Sequence, residues 1–182
     1  MSERNTILRS MHDLGAAAWF GGSLMGAVGL NGAASDVADS ADRARVSAAG
    51  WARWAPVQAA AVGVHAIGGL GLILANKGRV GAQAGVGANT VVKTVLTVAA
   101  AATTFYSGVL GGKIANAGQV HAKAATTPSQ GTPDDVASAQ KQLSMLQWAT
   151  PVLTGIIVPL GAQQGEQQRP TEILRGLAAK VG

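Results

Sequence analysis

At 182 residues the chain is sized for a single domain; 48% of it is hydrophobic and only 13% charged, about half the charge of a typical soluble domain. Its net charge of +5 comes from Lys and Arg scattered among apolar runs, with no basic stripe and no aromatic platform, which speaks against nucleic acid as a partner and for membrane topology and contact with anionic lipid. There is no cysteine, which excludes disulfides, thiolate metal sites and cysteine nucleophiles.

Arg4 and Arg9 precede an apolar stretch, as in a signal peptide. The stretch is longer than an h-region, so it reads as an uncleaved first helix, with Ala33 and Ala34 leaving a cleavage option open. Four segments lack charge over a spanning length: residues 14–34, 55–76, 94–112 and 143–163. They are rich in Ala and Gly, residues that insert weakly and must gain stability from helix–helix contact. The 55–76 segment offers only Gln58, His65 and Asn76 as strongly polar members, too few for a solvated face. The predicted fold is therefore all-α: one polytopic membrane domain over 1–182, a four-transmembrane-helix bundle with short interfacial helices.

The connections have their own signals. Residues 35–53 carry Asp early and Arg late, matching a helix dipole, and Ser35 can cap them, which predicts a short surface helix. Trp51 and Trp54 then fall in an interfacial aromatic belt, and Pro56 in the first turn of the second span. Trp148 is expected at similar depth near the start of the fourth. The Gly-rich stretch from Lys77 to Asn89 predicts a flexible loop, and Lys93 and Lys113 bound the third span, with Lys113 snorkelling outward. After a turn at 126–131, Thr132-Pro133-Asp134-Asp135 is a helix start, and that helix is expected to run on into the fourth span, where Pro151 and Pro159 bend it. Thr171 caps a last interfacial helix over about 171–181, with Ile173, Leu174, Leu177 and Val181 on one face.

Orientation follows from Lys and Arg in the short loops. The side bearing both termini carries eight and the other six, which favours cytoplasmic termini in a bacterial cell membrane.

Few residues could carry chemistry. His65 falls about 15 Å into its span by helical rise, where an ionisable side chain is a functional candidate. The competing reading is a single interhelical hydrogen bond, to Thr103, Thr104 or Thr154. His12 and Asp13 open the first span, either as a solvated helix start or as a proton-accepting pair. By helical rise His12 and His65 differ in depth by about 10 Å, so they are not expected to ligate one haem. His121 is isolated in a loop. Gly22 and Gly26, and Gly108 and Gly112, form GxxxG pairs suited to close helix packing. No phosphate loop, nucleophile elbow, paired carboxylates or HExxH spacing occurs, so no metal, cofactor or enzymatic activity is expected.

The run from His12 through Asp13, Gly15 and Trp19 to Gly22 resembles the first-helix pattern of small four-helix membrane proteins, the DUF4149 and TMEM205-like group and, more distantly, the CopD copper-resistance membrane domain. The resemblance implies a four-helix membrane fold. Its copper chemistry carries over poorly to a chain without Cys and with four Met. The leading expectation is a non-catalytic membrane accessory or scaffold subunit that packs against a partner protein or itself. The alternative is a small carrier or permeation pathway for a metal ion or small solute, using the intramembrane histidine.

Overall fold

The structure, a computed structural model, describes residues 5–82 and 85–166. It is mostly helical. Helix α1 (Thr6–Met25) passes through a π-helical segment (Gly26–Leu30) into α2 (Asn31–Ser35); α3 (Arg43–Ala75), α4 (Lys77–Ala82), α5 (Val86–Asn116) and α6 (Asp134–Glu166) follow. Strands β1 (Ala122–Ala124) and β2 (Thr127–Pro128) form a small antiparallel hairpin between α5 and α6.

Three helices, α3, α5 and α6, are long and apolar enough to cross a membrane. The run from α1 to α2 reaches a comparable length only by including its π segment. Helix α1 packs against α3 and α6, and α5 packs against α6, while the seam between α3 and α5 is the least closed. The long helices therefore alternate in direction. One end of the bundle gathers the start of α1 and the close of α6; we call it the terminal end. The other is the hairpin end.

Polarity is inverted relative to a water-soluble bundle. Large apolar side chains such as Leu70, Leu74, Val95, Val98 and Phe105 face outward, each at least 62% exposed. His12, Ser23, Gln58, His65, Lys93, Gln140 and Thr154 are buried.

Several boundaries differ from the sequence reading. Helix α1 starts at Thr6, so His12 and Asp13 lie inside it and do not open it. The surface helix expected over 35–53 is not separate: Ser35 ends α2, its hydroxyl donating back to the Asn31 carbonyl, and α3 runs unbroken from Arg43. Pro56 is consequently interior to α3, where it removes one backbone hydrogen bond. The packing of Trp51 and Trp54 across onto α1 supplies the tertiary contact that holds this stretch helical. Those indoles are thus bundle contacts. Trp148, 47% exposed, remains outward.

The loop expected from Lys77 to Asn89 is largely helical, with Gly85 at φ 82° preceding α5. Helix α5 extends past both lysines that were to bound it. Lys113 pairs with Asp135 of α6 at 3.3 Å. Thr132 does not cap α6; its hydroxyl donates to the His121 carbonyl within the hairpin loop. As expected, α6 is continuous from Asp134, and it runs through Pro151 and Pro159. The interfacial helix expected at 171–181 lies outside the described residues.

At the hairpin end, Leu110, Ile114, Val120, Ala122, Val136 and Ala139 form a core. Arg43 ties the 36–42 turn to the hairpin through the Val37 and Lys123 carbonyls, and Ser40 meets His121 Nδ1 at 2.8 Å. Arg45 bonds Asp42 at 2.9 Å and holds that exposed carboxyl below its ordinary value.

Candidate functional site: a histidine pair beside a cavity

Helices α1 and α3 touch through glycine. A Cβ on Gly15 would lie 2.6 Å from the His65 amide nitrogen, and one on Gly68 2.5 Å from that of His12. Backbone contact this close needs residues without side chains. It also fixes the register, setting His12 beside Gly68 and Gly15 beside His65. As a result the two imidazoles meet, with ring centroids 4.2 Å apart and their planes tilted by 40°. This corrects the expectation of separate depths. That estimate began the first helix at residue 14, eight residues after its true start.

Each ring is oriented by a partner on Nδ1. His65 Nδ1 lies 2.9 Å from the His12 carbonyl, which can only accept, so this nitrogen carries the proton. His12 Nδ1 is 2.9 Å from Asp13 Oδ1 and donates to that carboxylate. In the neutral rings both Nε2 atoms are then acceptors. Thr97 Oγ1 approaches His65 Nε2 at 3.3 Å. His65 thus donates to a backbone carbonyl of a neighbouring helix, one of the two kinds of acceptor the sequence suggests, and the threonine it meets is Thr97 of α5, not Thr103, Thr104 or Thr154. Thr103 instead meets Thr150 across the α5–α6 contact, Thr104 accepts from Trp19, and Thr154 donates to the Thr150 carbonyl.

Lys93, placed in a loop by the sequence reading, is buried beside the pair. Its Nζ donates to Gln164 Oε1 at 3.0 Å, and Gln164 Nε2 donates to Thr90. Gly161 leaves room where Asp13, His12 and Lys93 converge: a Cβ there would stand 3.4 to 4.0 Å from all three side chains. These residues border a cavity of about 260 Å³. It is lined by Arg9, His12, Asp13, His65, Lys93 and Thr97 together with apolar residues that include Ala66, Gly69, Leu70, Ile73 and Val98. Behind His65, Trp19 is fully buried, donates to Thr104 Oγ1 at 3.0 Å and meets the His65 ring edge-on at 6.0 Å.

Of the residues singled out in the sequence, His12, Asp13 and His65 come together here. Gly22 and Gly26 also pack, but against the Trp54 and Trp51 rings and not against a helix backbone. Gly108 and Gly112 do not pack within the chain: a Cβ on either would meet nothing within 4 Å among the described residues. Lys93, Arg9, Thr97 and Gln164 were not recognised. The available signal was the spacing Asn89, Lys93, Thr97, a polar stripe at i, i+4 and i+8 on one helix face. Among the described residues no group of three His, Cys, Asp or Glu side chains is placed to share a metal ion.

No family model, curated protein or solved structure matches the chain. The first-helix resemblance therefore rests on its own residues. In this fold His12, Gly15, Ala16, Trp19 and Ser23 are the buried face of α1, so the pattern has a physical meaning here whatever its ancestry.

Proposed function

We propose that the chain is a four-span integral membrane protein that binds a small solute in this cavity, as a carrier or permeation pathway. The membrane reading is supported by three spanning-length helices and by the apolar exterior around buried polar groups. The run from Thr6 to Ser35 supplies the fourth span. The observation that carries the solute reading is the cavity itself. A histidine pair serving structure alone would be packed on all sides; here a space of about 260 Å³ reaches it.

Cysteine substitutions test the reading cleanly, since the chain has no native cysteine. In membrane vesicles, Gly69→Cys on the cavity wall reacts with a small methanethiosulfonate, and Ala100→Cys in the buried core does not. An unreactive Gly69→Cys removes the solute reading. For orientation we infer cytoplasmic termini. Burial of Lys93 takes it out of the loop count, which leaves seven basic residues against six. An impermeant thiol reagent on intact cells then labels Ser40→Cys and Gln130→Cys but not Gly78→Cys; the reverse pattern inverts the topology.

A second reading, the scaffold subunit, is supported by the open glycine face of α5 at Gly108, Gly111 and Gly112. A single-chain mass in mild detergent, with no co-purifying protein, counts against it.

A further inference from the structure

The cavity combines cationic side chains with an apolar slot open to the side, and that combination specifies a ligand class. Lys93 is only 8% exposed. Its ammonium has three donors, of which one meets Gln164. Arg9 adds a second positive charge to the lining. The opposing charge is Asp13, whose Oδ1 already accepts from His12. With neutral histidines the site keeps a net positive charge of one. The rest of the lining mixes polar Asn76, Thr90, Thr94 and Gln164 with apolar side chains, and two of the latter, Leu70 of α3 and Val98 of α5, are also more than 60% exposed on the outside of the bundle. The cavity therefore opens laterally through the loosely packed α3–α5 seam. Gly69 also lines the cavity, its Cβ position 3.3 Å from the His12 ring, so a large side chain there would crowd the space.

We propose that this cavity takes the headgroup and first carbons of an anion-headed, single-chain amphiphile, admitted sideways from the bilayer through the α3–α5 seam. The head lies at Lys93 and Arg9, and the chain leaves between Leu70 and Val98. A volume of about 260 Å³, just under the roughly 300–1,000 Å³ usual for drug-sized ligands, suits one chain and excludes a two-chain phospholipid. The inference rests on the solute-binding reading and narrows it to one chemical class.

The test uses the full-length protein in nanodiscs at pH 8, with a fluorophore-tagged undecanoic acid as probe. Binding should be saturable and should be displaced by dodecanoate. Charge recognition of this kind should make the dodecanoate methyl ester at least about tenfold weaker. Lys93→Gln should reduce affinity by a similar factor, Gly69→Leu should abolish binding by filling the slot, and Gly108→Ala, outside the cavity, should leave it unchanged. Equal displacement by acid and ester overturns the proposal without recourse to any variant. Displacement by acetate as effective as by dodecanoate also overturns it, in favour of a free small anion. If Gly69→Cys is reactive while the tagged acid does not bind, the solute cavity stands and the amphiphile inference falls. An unreactive Gly69→Cys defeats both.

Discussion

The two ends of the bundle use the same materials, polar side chains and glycine inside apolar helices, to opposite effect. At the hairpin end Gly22, Gly26 and Asn31 are covered. Trp54 and Trp51 lie on Gly22 and Gly26, and the π segment turns Asn31 inward, where Oδ1 accepts from Ser47 at 2.7 Å and Trp51 at 3.0 Å while Nδ2 donates to Gln147 at 2.9 Å. Gln58 joins Trp54 to Ser23 in the same manner. At the terminal end Gly69 and Gly161 are met by the polar side chains of His12, Asp13 and Lys93, and His12 and His65 border a cavity. A buried polar group serves as a fastening when neighbours satisfy it and as a site when they leave capacity unused. Here the glycines decide which.

The sharpest way to break the comparison is at the contact both ends depend on. Gly68→Ala or Gly15→Ala forces a methyl into backbone atoms of the facing helix. Overpacking of this kind should cost about 1–3 kcal/mol or more, read as a fall in the thermal midpoint in detergent, with Gly108→Ala as a control within about 0.5 kcal/mol. A tolerated Gly68→Ala would mean that the α1–α3 register is wrong and that the histidines need not meet.

Asn31→Leu should come next. It removes three interhelical bonds at about 0.6 kcal/mol each, so a loss near 2 kcal/mol is expected in denaturant titration, while the reactivity of Gly69→Cys stays as it was. A change in that reactivity would show that the ends are not independent.

His65→Gln should cost only about 1 kcal/mol, since intramembrane bonds are individually modest. Its effect should appear in function, as weaker binding or flux. The same small loss of stability with function intact would reduce His65 to a fastening like Asn31.

The smallest effect is expected from Lys113→Ala. Its ion pair with Asp135 is half exposed, and such pairs contribute about 0–1 kcal/mol. Thermal midpoints in low and high salt should differ little between this variant and the parent.

Much of the architecture was legible in one dimension. Three of the four uncharged runs mark helices of spanning length, and the start Pro133-Asp134-Asp135 led correctly into one long helix, because charge, proline and acidic first turns act locally. Other signals failed for equally local reasons. Lys93 and Lys113 were read as boundaries because charge ordinarily ends a span, yet α5 continues past both, one lysine buried against Gln164 and the other paired with Asp135. Pro56 was read as a helix start because a proline costs least there, yet the contacts of Trp51 and Trp54 carry α3 through it.

Long apolar helices that enclose a few polar side chains can be read from residue order alone, and so can three of those side chains, His12, Asp13 and His65. That the three meet is a product of packing. Their meeting depends on the register between α1 and α3, set where Gly15 and Gly68 let two backbones touch. A shift of one turn, about 5.4 Å, would separate the rings and close the space beside them. Hydrophobic periodicity fixes which face of a helix is buried but is nearly indifferent to sliding along the axis. The cavity, and with it Lys93 as a functional residue, belongs to packing and not to pattern.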